Sequence, residues 1–188
     1  MLSAIAIAFV MASVAGMALM PMWKKNHVDQ AYDIAISVVR TYRNLAISQG
    51  KRYIITVTQP RTMTVQYWGV AVPPNPAPAP VTVSTYTLPM DVQFLTQAGF
   101  PNPGPDGFGT TYFAFNACAV VAGGNPCVIF YPDGSAQDDQ GNFNNGVVYI
   151  SRPADVYSAR AIDVWGTTGR VRGWRLYNVG GTNTWEQQ

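Results

Sequence analysis

The first twenty-three residues, MLSAIAIAFVMASVAGMALMPMW, carry no charged side chain, and charge begins abruptly at Lys24-Lys25. At ~1.5 Å per helical residue this run is long enough to cross a ~30 Å hydrocarbon core. No other segment of the 188 residues is comparable, and a domain of ordinary polarity follows it. A chain built this way is held by one end, at a membrane or in an assembly. Position is therefore expected to come before catalysis in what it does.

The flanks of the run conflict with its simplest readings. A cleaved signal peptide needs a basic n-region, a shorter apolar core and a small-x-small site. Here the basic n-region is missing and the apolar run is too long. A plain membrane anchor fits the length, but Lys24 and Lys25 would then hold the domain in the cytoplasm by the positive-inside rule. That orientation conflicts with the surface composition and the cysteine pair described below.

The helical pattern continues past the lysines. From His27 to Gln49, Ala31, Ile34, Ala35, Val38, Tyr42, Leu45 and Ala46 recur at three- and four-residue spacing and make one apolar stripe. Lys24, Lys25, Asp29, Asp33, Arg40 and Arg43 lie off it, and Gly50 suits a C-terminal stop. The spacing predicts one nearly continuous helix from Leu2 to Gln49, with a kink at Pro21. Residues 1–23 form its membrane or filament-core half, 24–50 its amphipathic half, and 51–188 a β-rich domain.

Charged residues make up 12% of the chain, well below an ordinary soluble domain, and Gly, Pro, Asn, Thr and Tyr take their place. Short β-branched and aromatic runs predict strands at Tyr53–Thr58, Thr62–Trp68, Val81–Leu88, Val92–Leu95, Thr111–Phe115, Val128–Tyr131, Val147–Ser151, Ala161–Trp165 and Val171–Tyr177. Ser84–Leu88 and Ala161–Trp165 alternate only loosely, so the pattern leaves their buried face open. Val72–Pro80 reads as a proline-rich spacer and Ala98–Gly109 as a long Gly/Pro loop. Cys118 and Cys127 enclose Gly123, Gly124 and Pro126, a hairpin that favours a disulfide over two unpaired thiols in neighbouring strands.

A long N-terminal helix, half apolar all round and half packed on an antiparallel sheet, resembles the type IV pilin fold. Three segments resemble the GspH/FimT-type minor pseudopilins in particular. Ser37–Val57 is similar to that family's helix-to-strand junction, with Arg43 and Ala46 at the Ala-Arg-x-x-Ala spacing and Tyr42 in place of the small residue. Val128–Ala136 is similar to its apolar strand followed by Pro-x-Gly, and Ala161–Trp174 to its C-terminal hairpin with Gly-Arg-x-Arg. Residues 70–125 match nothing comparable. The basic leader, its Gly and the Phe-Thr-Leu-x-Glu-like start of a prepilin are absent before Met1. Numbering that begins at an internal Met would account for this and would also supply the missing cytoplasmic charge; a divergent protein without a processing site is the alternative.

Catalytic chemistry finds little support. His27, the single histidine, lies at the boundary of the apolar run, so the β domain has no Ser-His-Asp or Cys-His arrangement. No Gly-rich phosphate loop opens a helix, and no cofactor is expected. Asp133, Asp138, Asp139, Asn142, Asn144 and Asn145 are rich in oxygen ligands but lack the calcium-loop pattern, so Asx turns are the better reading and no metal is expected.

Gly169, Arg170, Arg172 and Arg175 are the sharpest binding candidates. In a strand, Arg170, Arg172 and Trp174 project from one face and could hold phosphates and stack a base. The resemblance implies DNA binding at the Gly-Arg-x-Arg positions of FimT-type pilins and packing in the secretion-type relatives. Salt bridges to Asp163 and Glu186 would instead commit the arginines to structure. Arg152 and Arg160 could extend the patch, although a net charge of +2 is a weak electrostatic footprint.

The resemblance as a whole implies an α+β pilin-like, non-enzymatic subunit. It would sit in the inner membrane with its domain in the periplasm, or on a surface filament with other pilin or pseudopilin subunits as partners. Ala4, Ala8, Ala12, Ala15 and Gly16, with Ala6, Ser13 and Ala18, would form the helix assembly face. Two rivals are a DNA-receiving pilin and a membrane-anchored extracytoplasmic binding domain.

Overall fold

The apolar stripe finds its cover in two sheets, between which the helix is wedged. The computed structural model describes residues 2–69 and 78–188, with side chains from residue 26 onward. The helix α1 spans Leu2–Gln49 and continues through Pro21. It ends as the sequence requires: Gly50 takes φ +62°, and the Lys51 amide donates to the Ala46 carbonyl at 3.2 Å. That 6→1 bond satisfies a carbonyl that the helix end would leave without a partner. The expected assembly face on Ala4, Ala8, Ala12, Ala15 and Gly16 lies outside the described residues, as does most of the proline-rich spacer. From residue 26 onward, where side chains are described, no helix is long and apolar enough to cross a membrane.

Two antiparallel sheets follow among the described residues. The first runs in the order β3-β2-β1-β6-β7, from β1 (Arg52–Thr58), β2 (Thr62–Trp68), β3 (Val81–Thr87), β6 (Val128–Phe130) and β7 (Ala136–Gln137). The second runs β11-β10-β9-β8-β4, from β4 (Gln93–Phe94), β8 (Gly146–Arg152), β9 (Asp155–Trp165), β10 (Arg170–Val179) and β11 (Thr182–Gln187); the short β5 (Phe113–Ala114) also pairs with β8. The α+β arrangement of a long N-terminal helix on antiparallel sheet is therefore the architecture of this chain.

One core joins all three layers. Ala31, Ala35, Val39, Tyr42 and Ala46 of the helix meet Ile55 and Val128 of the first sheet and Ile150, Ile162 and Val164 of the second. The buried face is wider than the predicted stripe: Val28, Tyr32, Ile36 and Val39 are also covered. A helix against one sheet buries one stripe, whereas a helix between two sheets buries both flanks of it.

The outer faces are covered as well, which explains the loose alternation. Every residue from Ala159 to Val164 is buried, because Ala159 and Ala161 pack outward under Phe100, Phe108 and Trp185 while Ile162 and Val164 face the helix. On the first sheet, Ile54 and Ile129 point outward against Cys118 and Cys127, which are joined in a disulfide. The bond closes a turn at Gly123 (φ +82°) and Gly124 (φ +63°), and the Cys118 and Cys127 amides donate to the Asn125 and Asn116 carbonyls. Cys118→Ala/Cys127→Ala should cost about 2–3 kcal/mol, the closure entropy of so short a loop. Urea unfolding of the oxidised wild type and the variant checks this; equal midpoints would contradict it.

Candidate functional site

The three segments that carry the family resemblance meet at one side chain, Arg43. Its Nε donates to the Gly134 carbonyl at 3.2 Å and its Nη2 to the Thr168 carbonyl at 2.9 Å. Gly134 turns the Pro-Asp-Gly segment with φ +84°, and Gly169 turns the β9–β10 hairpin with φ +59°. The two turns touch, since a Cβ on Gly169 would stand 2.0 Å from the Gly134 carbonyl oxygen and 2.8 Å from Arg43 Nε. Helix end, Pro-x-Gly turn and C-terminal hairpin thus form one junction. Gly169 belongs to that packing and also lines the groove beside it.

The arginines of the Gly-Arg-x-Arg stretch have different fates. Arg170 is exposed at the mouth of a groove of about 470 Å³ between α1 and β10, lined by Arg40, Arg43, Asn44, Thr168, Gly169 and Val171 as well. No carboxylate lines that groove, and none of its three arginines has an ion-pair partner among the described residues. Arg40 joins the site only in the folded chain, because it sits one helical turn before Arg43.

Arg172 is committed elsewhere. Its Nη1 donates to Asp106 Oδ2 at 2.9 Å, and its backbone amide donates to Asp163 Oδ1 at 3.1 Å. Trp165 Nε1 donates to the same Asp106 oxygen at 2.8 Å. Asp106 comes from the Gly/Pro loop, so that loop lies over the face that Arg172 would have presented. Arg175 stands over the Tyr177 ring at 5.2 Å and faces Arg160 across the β9–β10 ladder. Arg160 does not extend a patch: it is buried, with Nη2 donating to Asp29 on the helix. Arg152 pairs with Asp91 and Asp155.

Two carboxyls share the space behind Arg172. Burial, with Asp106 against it, pushes Asp163 up to about 7 from an ordinary 3.8. Burial alone would raise Asp106 too, but hydrogen bonds from Asp163 and Trp165 and the charges of Arg172 and Arg170 outweigh it and hold Asp106 low. Below about pH 7 the proton therefore stays on Asp163, beside an Asp106 that is already ionised. The folded protein binds this proton more tightly than the unfolded chain, so stability falls as pH rises from 3.8 to about 7. Asp163→Asn mimics the protonated acid and should gain on the wild type across that window. Denaturant unfolding at pH 4.5 and pH 8 tests it, and parallel pH slopes would contradict it.

The oxygen-rich segment is consumed by its own turns at Asp133 and Asp138 and by the backbone of neighbouring loops at Asp139, Asn144 and Asn145. Asp138 Oδ1 accepts from the Gln140 and Asn142 amides, each at 2.9 Å. Asn144 joins the Asn116 amide to the Cys127 carbonyl, Asn145 takes the Gly166 amide, and Asp133 caps Ser135. Asp139 accepts from the Val120 amide. Among the described residues no three His, Cys, Asp or Glu side chains gather as a metal site would need. His27 donates from Nδ1 to Asp91 at 2.9 Å.

The crystal structure of the type IV minor pilin FimU from Pseudomonas aeruginosa (strain PAO1) is similar at 12% identity and a TM-score of 0.43, covering 80% of this chain and 90% of that one. No family model matches the chain, and no curated sequence matches it.

Arg40, Asn44, Thr168 and Asp106 reach the site without a motif of their own in the sequence. Arg40 carried a signal, since Arg40 and Arg43 lie three apart on the polar side of the helix. Asp106 carried none: its partner is 66 residues away in a loop whose path no local pattern fixes.

Proposed function

We propose that this chain is a minor pilin or pseudopilin of the GspH/FimT type, assembling through its N-terminal helix into a type IV pilus or type II secretion pseudopilus. The observation that carries the reading is the division of α1. Its amphipathic half is wedged between both sheets, whereas the preceding residues 1–23 are charge-free and rich in Ala. Such a segment stays in a membrane before assembly and packs against like helices afterwards, where small residues allow close approach. The β domain then lies in the periplasm or on the filament surface. Ala8→Glu and Gly16→Leu should abolish co-purification with the major subunits while leaving the far-ultraviolet spectrum of the domain unchanged. Undiminished co-purification would overturn the reading.

A second reading, DNA reception, draws its support from the basic groove. Arg170 with Arg40 and Arg43 offers guanidinium charge in a groove that no carboxylate lines, with Asp106 close enough to feel Arg170 alone of the three. Arg170→Ala and Arg40→Ala should each weaken salt-sensitive binding of duplex DNA and lower its salt slope by about one. Arg172→Ala should instead lower the melting temperature, because it leaves Asp106 without its cation. Wild-type protein that shifts no DNA at low salt would remove this reading.

A further inference from the structure

Half of the large exposed hydrophobic side chains among the described residues lie at one end of the domain. Tyr157 is 53% exposed, Tyr177 37%, Val179 55% and Met90 86%. Their level along the helix follows from contacts higher up. β10 descends antiparallel to α1: Gly169 lies beside Arg43, Gly173 lies against Tyr32 and Ile36, and Arg175 is paired in register with Arg160, whose guanidinium reaches Asp29. Four strand residues from Gly169 to Gly173 advance about 13 Å, the distance that about nine helical residues cover, so strand and helix run nearly parallel. Tyr177 and Val179 continue that descent by a further ~7–13 Å past Arg175, toward the helix N-terminus. Met90 is at the same end, next to Asp91, which is bound to His27.

The chemistry of this end is unlike the rest of the surface. Leu176–Trp185 contains no charged residue and turns at Gly180 and Gly181, both with positive φ. Tyr157 accepts from Asn178 at its hydroxyl, and a shallow groove of about 210 Å³ runs between Tyr157, Arg175 and Tyr177. Arg175 has no ion pair among the described residues, and it stands in register between Arg160 on β9 and Glu186 on β11. Tyrosines with one apolar and one wet end, an uncharged hairpin tip and a guanidinium outside any ion pair suit the headgroup layer of a bilayer. In the sequence, Lys24-Lys25 and the apolar residues 1–23 immediately precede His27, on the side toward which the hairpin points.

We infer that the β10–β11 hairpin, with Tyr157 and Met90, docks on an anionic phospholipid surface before the subunit is assembled, and that Arg175 takes a lipid phosphate. The inference rests on the reading of residues 1–23 as membrane-resident. Docking fixes the domain upright on the bilayer, so that leaving the membrane requires breaking the hairpin contact as well as extracting the helix.

The full chain, reconstituted in phosphatidylcholine vesicles with and without one part in three phosphatidylglycerol, provides the test by hydrogen exchange of residues 176–185. Exchange should be slower in anionic vesicles than in detergent micelles. Arg175→Gln should reduce that protection about fivefold, the effect of one arginine at a charged surface. Tyr157→Ser/Tyr177→Ser/Val179→Ser should remove it. Release of the chain by alkaline carbonate would overturn the membrane reading itself. A chain retained in the bilayer whose hairpin exchanges as fast as in detergent would overturn the docking alone. Protection that rises with the protein-to-lipid ratio, and not with phosphatidylglycerol, would assign this end to a second copy and overturn it too.

Discussion

Gly169→Ala is expected to destabilise the domain by about 3 kcal/mol, because left-handed strain and overpacking each contribute on the order of 1–2 kcal/mol at that position. The residue holds φ +59°, and a methyl group there would stand 2.0 Å from a carbonyl oxygen of the neighbouring turn. That oxygen belongs to Gly134, whose turn is itself fixed by Arg43, so relief requires prising the helix end from the hairpin. Gly180→Ala separates the two effects. Gly180 has φ +60° with nothing near its Cβ position, so this change should show the strain alone, about 1 kcal/mol. Thermal melts of both variants check the contrast: Gly169→Ala should lower Tm by about 6–12 °C for a chain of this size. Equal shifts would mean that the turns can part cheaply. Arg170→Ala, one residue away and exposed, should change Tm by little.

The second large effect concerns Asp29. Arg160 has a side chain only 2% exposed, and Asp29, at 42%, is the carboxylate that compensates it. Burial acts against the Arg160 charge and Asp29 opposes that pull. Removing the carboxylate strands a buried cation, whose other partners are the Ser158 and Ala159 carbonyls. Asp29→Ala should therefore cost about 3 kcal/mol, the lower end for a broken buried pair because the carboxylate is partly wet. Asp29→Ala/Arg160→Met should recover most of that loss, since a thioether of similar length needs no counter-charge. A double variant no more stable than Asp29→Ala would show that the pair contributes through orientation of the helix and not through charge.

Much of the fold is readable from local patterns. The helix end at Gln49 follows from the stripe and Gly50, and β1 and β2 follow from runs of β-branched and aromatic residues with little interruption. The disulfide follows from two cysteines around a Gly-Gly turn. What escaped is instructive. β7 has two residues, too few for a period to register, and pairs with β6 across the Pro-Asp-Gly turn while the Ala136 amide donates to the Gly166 carbonyl of another hairpin. β11 buries Trp185 alone among otherwise exposed or half-exposed positions, so its apolar period is too thin to register. The strand at Ala161–Trp165 is legible, but the full burial of Ala159–Val164 hides which face is inward and where β9 starts, because alternation vanishes once both faces of a sheet are covered.

The binding candidates divide along the same line. Arg170 stands where a strand reading puts it, exposed beside a turn. Arg172 shares its face in sequence but not its freedom, since a carboxylate from a loop of no predictable path had already claimed it. Charge patterning names the residues that could bind. Long-range packing decides which of them are still available.

The wedge of α1 between two sheets also has a mechanical consequence. Arg43 and Asp29 tie the helix to the second sheet and its hairpin, while Tyr42 reaches Ser84 on the first. A pull along the helix axis runs nearly parallel to β10. It would meet these ties together, in shear, rather than peeling them apart one after another. The domain can therefore be dragged by its helix as a rigid body, and force spectroscopy should find a single high rupture event in place of stepwise release.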